Sequence, residues 1–249
     1  MGCPPVDWRT VTQAEFVSEP GCWNTCGGGF CCANRHPDFQ FQLMPTEGTT
    51  LLYMEDEYRY LARHGKVSAT QPQTIELDYG GPQPLRVVHA PCKLLGACQG
   101  VLDKPLLCKL YPFLPLLAAE GGLVELLPLS IFDLTFSLLG AGAPCTVLAK
   151  RERYRAMWTS NAAALDPLRH PYILLYLWAA KHFSDSYSRR LQQSEKLRGK
   201  QGPQFWKRWE MEYLSGRLVD AADLKRDLLA TYQTLERRYG TFLTPQVVS

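Results

Sequence analysis

No stretch of this chain offers the roughly 18 consecutive apolar residues that a membrane-crossing helix needs. Residues 172–180 are too few, and residues 123–142 are interrupted by Glu125, Pro128 and Asp133. A strong charge of one sign is missing too. The 27 Lys and Arg against 24 Asp and Glu leave +3, too little to point to nucleic acid or an anionic membrane surface. Met1 to Pro5 carry no basic residue, and no apolar segment of the secretory kind follows. Val6 stands where an N-myristoylation signal on Gly2 requires Ser or Thr. There is no glycine-rich phosphate loop, no metalloprotease helix and no Gly-x-Ser-x-Gly elbow. Acidic residues are scattered, so no acid–base pair stands out by spacing. From these absences we expect a cytoplasmic protein with neither a membrane nor a nucleic-acid partner. Whether it is an enzyme stays open.

What the chain does have is cysteine, nine residues in all, seven of them in two groups. The first reads Cys22-x3-Cys26-x4-Cys31-Cys32, and the second Cys92-x5-Cys98-x9-Cys108. Hydrophobic residues make up 46% of the 249, enough to build a core without disulfide staples. In a reducing compartment, grouped cysteines are more often metal ligands than disulfides. Thiolates are soft ligands that suit zinc and iron–sulfur clusters alike. Gly27, Gly28 and Gly29 let backbone N–H groups approach sulfur closely, which favours a four-iron, four-sulfur cluster over zinc, the alternative. Four thiols saturate either centre, so seven allow one site with spares, and Cys145 as an eighth allows two. The side chains of Cys31 and Cys32 diverge in a relaxed strand, so one of them can serve a second site or stay a buried thiol. His36 and His89, near the two groups, and Cys145 are additional candidate ligands. Cys3 reads as a free thiol near a mobile terminus.

The order of these residues resembles the YkgJ-like cysteine-cluster family. The likeness rests on Cys22, Cys26, Cys31, Cys32, Cys92, Gly96, Cys98, Pro105, Cys108, Tyr111, Pro112 and Phe113, within about residues 20–115. Both gaps in the first group exceed the family's Cys-x2-Cys-x2-Cys-Cys spacing, and Lys104 stands where the family has Arg. The resemblance implies a cytoplasmic zinc- or iron-chelating protein with no single activity. A related domain occurs in flagellin lysine N-methylases. Three functions follow as expectations: an iron–sulfur protein with a redox or cluster-dependent role toward a protein partner, a zinc-stabilised interaction module, or a cluster-dependent enzyme that modifies a protein or peptide.

The fold class expected is α+β. An irregular cysteine-rich metal-binding domain with short strands, residues 1–149, precedes a helical domain, residues 150–249. Within the first, a helical turn is expected at 12–16, a short strand at 39–43 and a helix from Tyr53 to His64. A hairpin is expected from 74–77 and 85–88 around Gly80-Gly81-Pro82. Further buried elements are expected at 123–127 and 131–139. Residues 138–143 only faintly resemble a nucleotide-binding glycine turn, because strand, third glycine and distal acid are missing; a plain loop is expected. In the second domain, 151–165, 172–191, 203–214 and 220–239 carry helical periodicity, with Asp220 as N-cap and Gly240 as stop. The aromatic stripe Phe205, Trp206, Trp209 and Tyr213 reads as core rather than a base-stacking face. Arg151, Arg153, Arg155, Arg189 and Arg190 read as solvated helix faces.

Overall fold

The structure, a computed structural model, describes residues 3–19, 43, 50–67, 69, 71–92, 104–140, 145–197 and 202–243. It mixes helices with two small antiparallel sheets, an α+β arrangement. The N-terminal part holds α1 (Trp8–Gln13), β1 (Thr50–Met54), α2 (Glu55–Arg63), β2 (Gln73–Leu77), β3 (Leu85–Pro91), α3 (Leu106–Leu110), β4 (Phe113–Leu117), β5 (Leu123–Pro128) and α4 (Ile131–Leu138). Then come α5 (Arg151–Ser160), the long α6 (Pro171–Gln193), α7 (Pro203–Leu214) and α8 (Ala221–Tyr239).

The first sheet has the order β1-β3-β2. The hairpin read from sequence is β2–β3, with Leu77 opposite Leu85. Gly80 takes φ +82° in its turn, where an L side chain is strained, and the Asp78 carboxylate accepts the Gly80 N–H at 2.9 Å. The stretch before α2 differs from expectation. Tyr53 does not open a helix but belongs to strand β1, paired in register with Val88 of β3. Leu51 and Tyr53 point inward while Thr50 and Leu52 face out, the two-residue alternation of a strand. The helix begins only at Glu55. Likewise the expected 151–165 helix ends at Ser160, and a 3-10 segment, Ala162–Leu168, carries the chain around Pro167. The early helical turn falls at Trp8–Gln13 rather than 12–16, with the Asp7 carboxylate accepting the Thr10 N–H. The expected 39–43 strand lies outside the described residues except for Leu43.

All five residues of β4 are buried. The strand lies against α6 on one side, while Phe113 meets Tyr154 and Trp158 of α5, with ring centroids 5.0 and 6.3 Å away. Cover on both faces explains its unbroken apolar run. The Trp178 indole N–H of α6 donates to the Leu117 carbonyl at 2.9 Å. The main core joins Phe113 and Leu116 to Ile173, Leu177 and Leu228, so it draws on both sides of the expected 149/150 boundary. A second cluster sets the α7 stripe, Phe205, Trp206 and Trp209, against Phe136 of α4 and Tyr187 of α6, as core. Trp209 donates to the Tyr187 hydroxyl at 2.7 Å, and that hydroxyl meets Thr135.

Helices α6 and α8 pack together, and Arg189 and Arg190 pair with Asp223 and Asp220. These two arginines are therefore exposed but engaged. Asp220 also caps α8, accepting the Ala222 and Asp223 N–H groups at 3.0 and 3.1 Å, and Gly240 ends the helix at φ +75°. No helix among the described residues is long and apolar enough to cross a membrane.

Candidate metal centre

The second cysteine group is built around α3. Pro105 sets its start, and Pro112 forces Tyr111 into extended backbone at φ −56°, ψ 134°, which ends the helix. Cys108 therefore sits in the middle of a single short turn. Cys92 follows the end of β3 and bridges to Ala69. Both sulfurs are half-buried and pack on one apolar cluster made by Leu51, Tyr53, Leu61, Ala69, Val88 and Ala90. Two thiols far apart in sequence thus border the same apolar cluster. His89 stands on β3 between Val88 and Ala90, both buried in that cluster. Strand alternation turns His89 to the opposite face.

Cys22, Cys26, Cys31, Cys32, Cys98 and His36 lie outside the described residues. The residues flanking the first group are anchored. Glu19 pairs with Lys150 at 2.5 Å and Arg153 at 3.6 Å and accepts from the Tyr154 hydroxyl at 3.2 Å. Beyond the group, the Leu43 N–H donates to Glu210 of α7 at 3.1 Å. Among the described residues no three His, Cys, Asp or Glu side chains group as a metal set. In chemistry Cys92 and Cys108 suit a thiolate centre: they are soft donors, and they border an apolar wall of the kind that surrounds such centres.

Three buried polar side chains, Glu57, Lys109 and Asp133, tie α3 in place, and sequence reading singled out none of them. Glu57, on α2 and 2% exposed, accepts the Leu106 N–H at 2.5 Å with one oxygen and the Met54 N–H at 3.2 Å with the other. Lys109 sends its ammonium to the carbonyls of Thr12 and Ala14, at the end of α1, where helical carbonyls lack partners. Tyr111 donates to the fully buried Asp133 at 2.9 Å. The Asp133 carboxylate also takes the Cys145 N–H, while its Oδ1 has no partner. Thus the Tyr-Pro-Phe tail, the expected buried element at 131–139 and Cys145 meet at one carboxylate.

Burial governs the electrostatics. It raises the Glu57 carboxyl to about 7 against its two amide bonds and the nearby Lys109, and it raises Asp133 to about 6 against the Tyr111 bond. Burial and then the Asp133 charge push the Cys145 thiol up to about 11, so it is a protonated, unreactive thiol at neutral pH unless a metal displaces the proton. On α6, Tyr176 lies well above the ordinary tyrosine range through burial first, then Glu57, Tyr172 and Cys108. Cys3 is also tied down. Its N–H donates to the Thr241 carbonyl at 3.2 Å, and its sulfur lies 3.4 Å from His170 Nε2. The His170 Nδ1 accepts the Tyr172 N–H, so Nε2 carries the hydrogen, which it can donate to the Pro4 carbonyl at 2.8 Å. A neutral imidazole in that tautomer is no base toward Cys3. Gly140 closes α4 at φ +70°; residues 141–144 of the glycine turn lie outside the described residues.

The Glu57 carboxyl makes stability depend on pH. Its folded-state pKa stands above the unfolded 4.5, so the native state holds that proton more tightly. The stabilisation is complete below about pH 4.5 and is lost as pH rises through about 7, roughly 3 kcal/mol in all. Urea unfolding of chelator-treated protein should show wild type losing that much relative to Glu57→Gln between pH 4.5 and 7.5. A constant difference across the range would show that Glu57 is ionised in the native state throughout.

Compared with family models, curated proteins and solved structures, the chain matches none.

Proposed function

We propose that this chain is a cysteine-ligated metalloprotein of the cytoplasm, a member of the YkgJ-like cysteine-cluster family that binds an iron–sulfur cluster and works with a protein partner. The observation that carries this reading is the packing of Cys92 and Cys108 on one apolar cluster, within a sequence that groups seven of nine cysteines. Cys22, Cys26, Cys31, Cys32 and Cys98 complete the ligand pool, with Cys145 and His36 as further donors. In this reading the cysteine-rich N-terminal half is the metal-binding part, and the helical half supports it and offers the partner surface.

A bound cluster supplies one-electron redox chemistry, whereas zinc supplies a cross-link between chain segments. The protein's own contribution is to hold soft sulfur ligands, with their protons removed, against an apolar wall that limits water. Anaerobic purification with iron supplied tests the proposal. Brown protein, with visible charge-transfer absorption that bleaches on reduction and iron matched by acid-labile sulfide, supports it. Colourless protein holding only zinc transfers the reading to the structural module, and protein with no metal overturns both. The methyl-transfer version of the enzyme reading requires that S-adenosylmethionine raise the melting temperature; no shift at saturation removes it.

A further inference from the structure

The side chain that reaches the thiol-bearing turn most directly from outside the cysteine pattern is Glu57. It sits in the first turn of α2 and is buried. One oxygen closes its own helix on Met54, and the other crosses to the first N–H of α3. That N–H belongs to Leu106, two residues before Cys108. Pro105, at the helix cap, offers no side-chain hydrogen bond of its own, so the Leu106 amide depends on Glu57. A single five-residue turn has little intrinsic stability, and its position must come from such external ties. The other ties to α3, Lys109 on the α1 carbonyls and Tyr111 on Asp133, secure its far end.

We propose that Glu57 is a positioning residue for the Cys108 thiol: its carboxylate clamps the start of α3 to the edge of β1 and so fixes where that sulfur stands. That this sulfur is a metal ligand rests on the function proposed above; that Glu57 fixes it does not. Above about pH 7, where the group is ionised, both of its oxygens accept, so the two readouts below are taken at pH 8. In Glu57→Gln the amide nitrogen must face one of two N–H donors, so one of the two bonds is replaced by donor against donor.

Two readouts on the full-length protein separate the ideas. In the metal-free chain, the alkylation rate of Cys108 by iodoacetamide, followed by peptide mass spectrometry, should rise about ten-fold in Glu57→Gln as the turn opens locally, with Cys92 changing less. In zinc titrations against a competing chelator, Glu57→Gln should bind about 10- to 100-fold more weakly, the range for groups that orient ligands. Cobalt substitution should show weakened sulfur-to-metal charge transfer. Leu218→Ala, in the second core cluster, supplies a destabilised control that should leave both readouts at the wild-type value. Wild-type alkylation of Cys108 in Glu57→Gln overturns the inference, as does an equal rise in Leu218→Ala. If wild type binds neither zinc nor iron, the metalloprotein reading falls, while the alkylation rates still decide the role of Glu57.

Discussion

Cys108→Ser should yield a folded chain that no longer gains stability from metal. The apo forms of wild type and variant should unfold at nearly the same urea concentration, because the sulfur is half-buried and serine is close in size. Added metal should separate them. A ligand at a thousand-fold excess over its dissociation constant stabilises the native state by about 4 kcal/mol, and that increment should appear in wild type and vanish in the variant. Cys92→Ser should behave alike, since both sulfurs pack on the same cluster. Cys3→Ser should not: its sulfur packs on the main core instead, beside His170 and Thr241. Isothermal or spectroscopic zinc titration with parallel urea melts checks the set. Equal metal stabilisation in wild type and Cys108→Ser would remove Cys108 from the ligand pool.

Trp158→Ala should lower the stability of the metal-free fold more than any of the thiol or Glu57 substitutions. The indole is 1% exposed and packs edge-on against Phe113 and obliquely against Tyr154. Its removal opens a cavity beside β4 that rigid neighbours fill poorly. Such truncations cost about 3–5 kcal/mol, which for a chain of this size corresponds to a melting temperature lower by about 10 °C. Differential scanning calorimetry should detect the shift directly. Because Phe113 closes the Tyr-Pro-Phe tail two residues after Tyr111, the variant should also weaken metal retention on heating. A shift of a degree or two would mean that the neighbouring rings collapse into the space.

The helical layer was largely legible in the sequence, since α7 and α8 carry long amphipathic stripes with local stop and start signals. Asp220 and Gly240 mark α8 almost to the residue. The β2–β3 hairpin was legible for the same local reason, a glycine turn between β-prone runs. Strand β1 was not, because its partner β3 lies far along the chain, and apolar residues at 52, 53, 60 and 61 fit a helical stripe equally well. The thiols announced themselves by their spacing. Glu57 and Asp133 did not, since one carboxylate on a charged helix resembles any exposed residue. Asp133 had a faint signal, being a lone acid in the apolar stretch 131–139. Glu57 had only its place three residues beyond Met54, where a capping acid often sits, without the Ser or Thr that would have marked the motif.

Strand β4 is buried along its whole length, against α6 and, at Phe113, the rings of α5, and it begins directly after the turn that bears Cys108. A shortened protein ending before residue 150 would therefore expose a fully apolar strand to water and invite aggregation. The sulfur-bearing region is not a detachable module. Warming or denaturant that loosens the helical layer should release whatever the thiols hold in the same step, so loss of the inorganic centre and loss of helical circular dichroism should trace one curve.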